Sequence, residues 1–200
     1  MKVIAFNGSP RKDGNTNILV NYVLRELEQE GIETELIHLG GQSIKGCDEC
    51  YLCAQRKDKR CAIKGDRINE YIEKILEADG LILGSPAFFA EVTTEMKAFI
   101  DRVGMIGKFN DDLFRRKVGA PVVAARRAGA FSVCHAINAF FLANQIIVPG
   151  SSYLNVGYGW DKGQVEKDEE GVRAMKILGQ NMAWLLKIIH NNRTEERRGM

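Results

Sequence analysis

Residues 2–16 read Lys2-Val3-Ile4-Ala5-Phe6-Asn7-Gly8-Ser9-Pro10-Arg11-Lys12-Asp13-Gly14-Asn15-Thr16, and this stretch decides the fold. Lys2–Asn7 is a short apolar run that stops at Gly8-Ser9-Pro10, the pattern of a strand closed by turn residues. Beyond it, Thr16–Glu30 carries Ile18, Leu19, Tyr22, Val23 and Leu27 at helical spacing and ends at Gly31. Strand, loop and helix form the opening unit of a sheet whose parallel strands are joined by crossovers.

The unit repeats outward along the chain. Glu33–Leu39 alternates polar and apolar positions and reads as a weaker strand near an edge. Gly40–Gly65 has no clear period and holds four cysteines. Asp66–Ala78 reads as a helix capped by Asp66, with Ile68, Tyr71, Ile72, Ile75 and Leu76 inward. Asp79–Gly84 is a buried strand, Ser85–Val92 a loop, and Thr93–Gly104 a helix with Met96, Phe99, Ile100 and Val103 on one side. Val118–Ala125 is the next strand, Phe131–Ile146 an apolar helix, and Ile147–Val156 holds the last strand. Asp168–His190 closes the chain as a helix whose first turn carries Asp168, Glu169 and Glu170, where negative charge is favoured.

Alternating strands and helices predict an α/β fold: right-handed crossovers and a parallel sheet covered on both faces. Five strands suit the doubly wound, flavodoxin-like order 2-1-3-4-5, here with a cysteine-rich insertion after strand 2. The 200 residues fit one domain, spanning 1–190 with the cysteine-rich loop at 43–65. The polar segment 191–200 is read as a tail, with fraying expected from His190 onward. Hydrophobic residues at 45% and charged residues at 27% exclude disorder as the main state. With 28 basic and 26 acidic residues the net charge is +2, which supplies no clustered basic excess for nucleic acid.

Met1–Phe6 turns polar at Asn7 before any signal-peptide core can form, so a cytoplasmic protein is expected. Ala128–Trp160 contains no Asp, Glu, Lys or Arg, yet Ser132, His135, Asn138, Asn144 and Gln145 interrupt it and Pro149-Gly150 ends the apolar run. It reads as a buried helix and a strand, not a membrane span. Its surplus apolar surface suits a subunit interface.

In sheets of this kind ligands bind beyond the carboxyl ends of the strands, where the strand order reverses. That rule selects the loops Asn7–Asn17, Ser85–Val92 and Arg126–Gly129. The first resembles a phosphate cradle. The hydroxyls of Ser9 and Thr16, the amide of Asn15 and the opening N–H groups of the helix are donors, and Arg11 adds charge. Neither Gly-x-Gly-x-x-Gly nor Gly-Lys-Ser/Thr occurs there, so the dinucleotide and Walker fingerprints are absent. The alternative is a plain strand-to-helix turn capped by Asn15. In the second loop, Ser85-Pro86-Ala87-Phe88-Phe89-Ala90 offers aromatics and backbone donors, as a planar ligand with polar edges requires. In the third, Arg126-Arg127-Ala128-Gly129 brings positive charge to the same mouth.

The cysteines carry the sharpest signal. Cys47, Cys50, Cys53 and Cys61 give C-x2-C-x2-C-x7-C, with Cys134 apart in the apolar helix as inert core. Zinc sites commonly separate their ligands into two pairs. Three closely spaced thiols and a more distant fourth resemble the ligation of a cubane iron–sulfur cluster. A redox dithiol and zinc remain open as alternatives. Lys45, Arg56, Lys57, Lys59 and Arg60 surround the run, and are expected to offset cluster charge and lower the thiol pKa values.

Gly8-Ser9-Pro10-Arg11, Gly14-Asn15-Thr16, Gly84-Ser85-Pro86-Ala87-Phe88-Phe89 and Lys97-Ala98-Phe99-Ile100-Asp101-Arg102 together resemble the NADPH-dependent FMN reductase family. The cysteine run before Asp66 resembles its iron–sulfur flavoprotein subgroup. The likeness extends from Met1 to about Leu186. It implies a flavodoxin-like fold, FMN, and a homodimer or homotetramer with the flavin near a subunit interface. By that likeness Ser9, Arg11, Asn15 and Thr16 hold the phosphate, and Pro86, Ala87, Phe88 and Phe89 line the isoalloxazine. Asn17, Ser85, Arg126 and Gly129 complete the candidate cofactor contacts, and Cys47, Cys50, Cys53 and Cys61 are the candidate ligands of a [4Fe-4S] cluster. Positive charge beside a flavin favours its anionic reduced form, and the cofactor carries the chemistry, so no catalytic side chain is assigned. His38, His135 and His190 are read as structural. The expected function is an oxidoreductase exchanging electrons between FMN, the cluster and a ferredoxin-like carrier or NAD(P)H. The alternatives are an NAD(P)H-dependent FMN or quinone reductase without a cluster, and a redox-sensing binding protein.

Overall fold

The computed structural model describes the backbone of residues 1–198 and the side chains through residue 192. The elements run β1 (Lys2–Asn7), α1 (Asn15–Gln29), β2 (Glu33–His38), α2 (Leu52–Arg56), α3 (Ile68–Glu77), β3 (Gly80–Pro86), α4 (Thr94–Phe109), β4 (Val118–Ala125), α5 (Ala130–Ala143), β5 (Val156–Tyr158), a 3-10 turn (Gln164–Lys167) and α6 (Glu169–Arg198). Among the described residues the strands form one five-stranded sheet in the order β2-β1-β3-β4-β5, and every pairing is parallel. This is the doubly wound arrangement expected from the alternation of elements.

Period-two side-chain direction divides the core into two layers. Ile4 and Phe6 of β1 face one way, into a cluster with Ile72 and Ile75 of α3, Phe99 and Val103 of α4, and Ile137 and Phe141 of α5. Val3 and Ala5 face the other way, against Leu19, Val23 and Leu27 of α1 and Met175, Leu178 and Met182 of α6. β4, an interior strand between β3 and β5, is buried along its whole length, which explains its run Val-Gly-Ala-Pro-Val-Val-Ala-Ala. β2, at the edge, keeps one exposed and five half-buried positions.

Three of the differences from the sequence reading exceed a few residues. The last strand is Val156–Tyr158 rather than a run within Ile147–Val156. The chain touches the sheet edge at Ile147, bridged to Val118, and joins β4 again only where Val123 pairs with Val156. Between them lies Pro149-Gly150, and a proline supplies no N–H to a ladder. α4 passes through Gly104 to Phe109. Here glycine serves packing, since a Cβ on Gly107 would stand 2.5 Å from Phe114 and Asn144. The backbone of α6 continues past His190 to Arg198. The remainder of the expected frayed tail, residues 199–200, lies outside the described residues.

Among the described residues, no helix is long and apolar enough to cross a membrane. At the rim, the chain leaving β2 crosses the first loop so closely that a Cβ on Gly40 would sit 1.9 Å from the Ser9 carbonyl oxygen. Gly46, further along, has open space around it. Gly40→Ala is therefore expected to cost about 1–3 kcal/mol through overpacking, and Gly46→Ala no more than about 0.5 kcal/mol. Urea denaturation of both variants checks the contrast, and equal stabilities would refute the close-approach account.

Candidate functional site

The loops after β1, β3 and β4 meet as the rim rule requires. They enclose a cavity of about 230 Å³ lined by Ser9, Pro10, Arg11, Asn15 and Thr16 from the first, Pro86, Ala87 and Phe88 from the second, and Ala124, Ala125 and Arg126 from the third. Gly159 and Trp160, after β5, close the remaining side. No carboxylate is among these residues.

One pole of the cavity is ready for an anion. α1 begins after Gly14 with no side-chain cap, so its first N–H groups have no intrahelical partner. Thr16 is 1% exposed, and its Oγ1 has no hydrogen-bond partner. Ser9 Oγ accepts the Arg11 N–H at 3.1 Å, which leaves the hydroxyl proton available. An orphaned buried hydroxyl costs roughly 1–3 kcal/mol, so its presence at an uncapped helix start fits an anionic group such as a phosphate.

Asn15, read from the sequence as a phosphate donor with a cap as the alternative, lines the cavity, and its side chain also has protein partners. Its Nδ2 donates to the carbonyls of Gly159 at 3.1 Å and Asp161 at 3.0 Å, and its Oδ1 accepts the Gly163 N–H at 2.9 Å. The side chain ties the loop after β5 to α1 and leaves only the backbone N–H of Asn15 for a ligand. That loop carries Trp160, which the sequence reading missed because it considered only the loops after strands 1, 3 and 4. The Arg126 guanidinium stacks over the Trp160 ring at 4.0 Å from the centroid, a cation–π contact that holds positive charge at the mouth. Arg11 Nη1 donates to the Trp160 carbonyl at 3.4 Å.

The opposite pole is the aromatic turn. Phe88 and Glu91 exchange backbone hydrogen bonds of 2.9 and 3.1 Å, with Phe89 at φ 49 and Ala90 at φ 62. Left-handed backbone at Phe89 is strained, and its ring is 97% exposed. Phe88 lines the cavity, and Phe89 meets it edge-on at 5.7 Å, outside the cavity wall. Gly129, at φ +89, packs over this turn, since a Cβ there would lie 2.6 Å from Ala90 Cα. Ser85 is fully buried, donates to the Pro86 carbonyl and accepts the Thr93 N–H. Ser85 and Gly129 therefore shape the wall without lining it. Asn17 lies one turn into α1 and its carbonyl accepts from Asn21 Nδ2, also outside the lining.

The four cysteines line a second hollow with Arg102, Met105 and Ile106. Cys47 and Cys50 are exposed, Cys53 and Cys61 half-buried, and all four are free thiols. Left-handed residues Glu49, Tyr51, Lys57 and Lys59 fold the loop tightly. Among the described residues no three His, Cys, Asp or Glu side chains converge on a single ion. A cubane takes four thiolates around a group rather than at a point, and four cysteines around one hollow fit that donor set.

At Cys53 the expected lowering of the thiol is not found: burial pushes it up. Of the surrounding cations, Lys57 pairs with Asp111 and Arg60 with Glu73. Arg102 is the cation that meets a sulfur: its Nε donates to Cys61 Sγ at 3.3 Å. The helix that carries Arg102 was recognised, but the role of this residue was not. Cys134 is buried, and burial raises its thiol to about 11, consistent with inert core.

The fold and its rim cavity define a doubly wound α/β protein with a site for an anionic, ring-bearing ligand. The chain belongs to the NADPH-dependent FMN reductase family, whose sequence pattern matches residues 1–161. It is 36% identical over 196 residues to an iron–sulfur flavoprotein of Methanocaldococcus jannaschii, covering 94% of this chain and 99% of the relative. The structure of RosB with a bound 8-demethyl-8-formylriboflavin-5′-phosphate intermediate superposes with a TM-score of 0.75 at 19% identity, covering 96% of this chain and 81% of RosB. An archaeal flavodoxin superposes at 0.61 and 15% identity, covering 94% of this chain and 99% of its own.

Thr16→Val keeps the shape and removes the orphaned hydroxyl. Without ligand it is expected to stabilise the protein by roughly 1 kcal/mol, and to weaken a phosphomonoester ligand by about tenfold. Thermal melts with and without ligand read both effects, and a variant that melts lower while binding normally would contradict the cradle.

Proposed function

We propose that the chain is a cytoplasmic oxidoreductase that binds FMN in the rim cavity and a [4Fe-4S] cluster at Cys47, Cys50, Cys53 and Cys61. It would exchange electrons with a ferredoxin-like carrier or NAD(P)H. The observation that carries the reading is one cavity with an uncapped helix start and an unpaired buried Thr16 hydroxyl at one pole and Phe88 at the other. The names of the family and its relatives point the same way.

Under this reading Ser9, Thr16 and the first N–H groups of α1 bind the phosphate. Arg11 and Arg126 supply positive charge, and Pro86, Ala87 and Phe88 exclude water from the ring. When bound, FMN supplies one- and two-electron chemistry and the cluster one-electron chemistry, so together they suit a protein linking the two kinds of partner. The cluster's ligands must be thiolates, so cluster binding would release the protons of the four cysteines. Phe131, Leu142 and Trp184 are large apolar side chains at least 65% exposed, which supports a homodimer or homotetramer. The exposure of Cys47 and Cys50 favours a second reading, a reductase without a permanent cluster.

Protein purified without oxygen is expected to be brown, with about four iron and four sulfide per chain and one FMN. Cys50→Ser is expected to lose the iron and keep the flavin. Riboflavin, lacking the phosphate, should bind at least about 100-fold more weakly than FMN. Iron analysis, absorbance and fluorescence titration check these outcomes. Flavin without iron would leave the reductase reading, and colourless zinc-containing protein would remove both.

A further inference from the structure

We propose that Arg102 is a positioning residue: it fixes the Cys61 sulfur and raises the reduction potential of the group held by the four cysteines. The inference rests on the cluster reading above and adds a residue to which that reading gives no role.

Arg102 is 1% exposed and heads the largest fully buried side chains. It reaches from α4 into the loop and spends its fork on four different loop residues. Nε donates to Cys61 Sγ at 3.3 Å and Nη2 to the Ile63 carbonyl at 3.3 Å. Nη1 donates to the Lys45 carbonyl at 3.2 Å and pairs with the Asp66 carboxylate. The two ends of the cysteine loop and its most distant cysteine thus close on one guanidinium. Asn69 clamps the same cysteine, accepting the Cys61 N–H at 2.7 Å and donating to its carbonyl at 3.0 Å.

Cys61 stands apart from the compact run 47–53 and requires its own anchor. Anchoring alone needs only the carbonyls and Asp66, yet the Nε–H is directed at sulfur. A charge-assisted hydrogen bond to a thiolate is stronger the more negative the sulfur becomes. Reduction by one electron adds negative charge behind that sulfur, so the bond favours the reduced state, and hydrogen bonds to sulfur are among the terms that set such potentials. Asp66 balances the guanidinium at Nη1, whereas Cys61 is met by Nε. Removing either partner therefore leaves an opposite local charge, and the two removals should move the potential in opposite directions.

The test is an anaerobic redox titration of the complete protein followed by electron paramagnetic resonance, with iron content and circular dichroism on every variant. Arg102→Gln is expected to lower the midpoint and Asp66→Asn to raise it, with Arg102→Lys between wild type and Arg102→Gln. The flavin midpoint should stay near the wild-type value, because neither residue lines the flavin cavity. A purely structural role would shift both variants the same way or not at all, and either result in iron-loaded protein overturns the proposal. If Arg102→Gln fails to fold or to hold iron, the signs of Asp66→Asn and Arg102→Lys decide. Wild-type protein devoid of iron and sulfide overturns the cluster reading and this inference together, and it does so before any variant is compared.

Discussion

Parallel pairing is the constraint from which the rest follows. Each strand must be re-entered from the same end, so every connection crosses the sheet and every carboxyl end lies on one rim. In this chain the rim collects the loops after β1, β3, β4 and β5 around one cavity. A site with an anion pole and an aromatic pole then needs only the right residues in loops that topology already brings together. The helix starting at Asn15 contributes uncapped N–H groups because the preceding loop is Gly14, whose lack of a side chain leaves them open.

Much of this was legible from local pattern. The period of apolar residues separates strands from helices, and the sheet order follows from five alternating units. The rim rule then found Ser9, Arg11, Thr16, Pro86, Ala87, Phe88 and Arg126, which the structure brings to one cavity. What pattern did not show shares a cause. Asn15 was read as a phosphate donor, with a cap as the alternative; it lines the cavity, and its side chain bonds across some 145 residues of sequence to the loop after β5. Arg102 meets Cys61 and Asp66 across 41 and 36 residues. Periodicity reports burial and backbone form, and carries no information about such long-range polar partners. β5 was misplaced because residues on both sides of Pro149 pair with the same sheet edge, and pattern alone could not show that only the later segment extends into a strand.

The energetics of the two sites differ. At the rim, an unpaired Thr16 hydroxyl and the unpaired Nδ2 of Asn7, whose Oδ1 accepts the Ser9 N–H, are buried, and a left-handed Phe89 sits in a tight turn. These are local costs carried by a well-packed scaffold, as is common where a ligand later supplies the missing partners. In the cysteine loop the balance is reversed. The Arg102–Asp66 pair is almost wholly buried, with side chains 0% and 4% exposed, and removing two charges from water often costs as much as their attraction returns. Burial opposes the ionised form of Asp66, yet its bonds to Arg102 and the Ile68 N–H hold the carboxyl below the usual range. The pair stays ionised because every oxygen and nearly every N–H has a partner.

The two sites are joined mechanically through the insertion itself. Its entry, Gly40, lies against the Ser9 carbonyl of the anion cradle, and its exit, Asp66, is held by Arg102 of α4. Between them Gln42 accepts the hydroxyl of Tyr71 at 2.6 Å, and Tyr71 packs edge-on against Phe6 of β1 at 5.4 Å. A third hollow, of about 340 Å³, shares Pro10 and Phe88 with the rim cavity and Gln42, Ser43 and Ile44 with the start of the insertion. The strand that ends in the cradle is therefore also the strand against which the cysteine loop is braced. A loop long enough to carry four thiols would be loosely held if tethered only at its ends, because closure entropy grows slowly with length but side-chain ordering must be met residue by residue. Bracing it on β1 and closing it on one buried guanidinium restricts where the thiols can lie relative to the rim cavity.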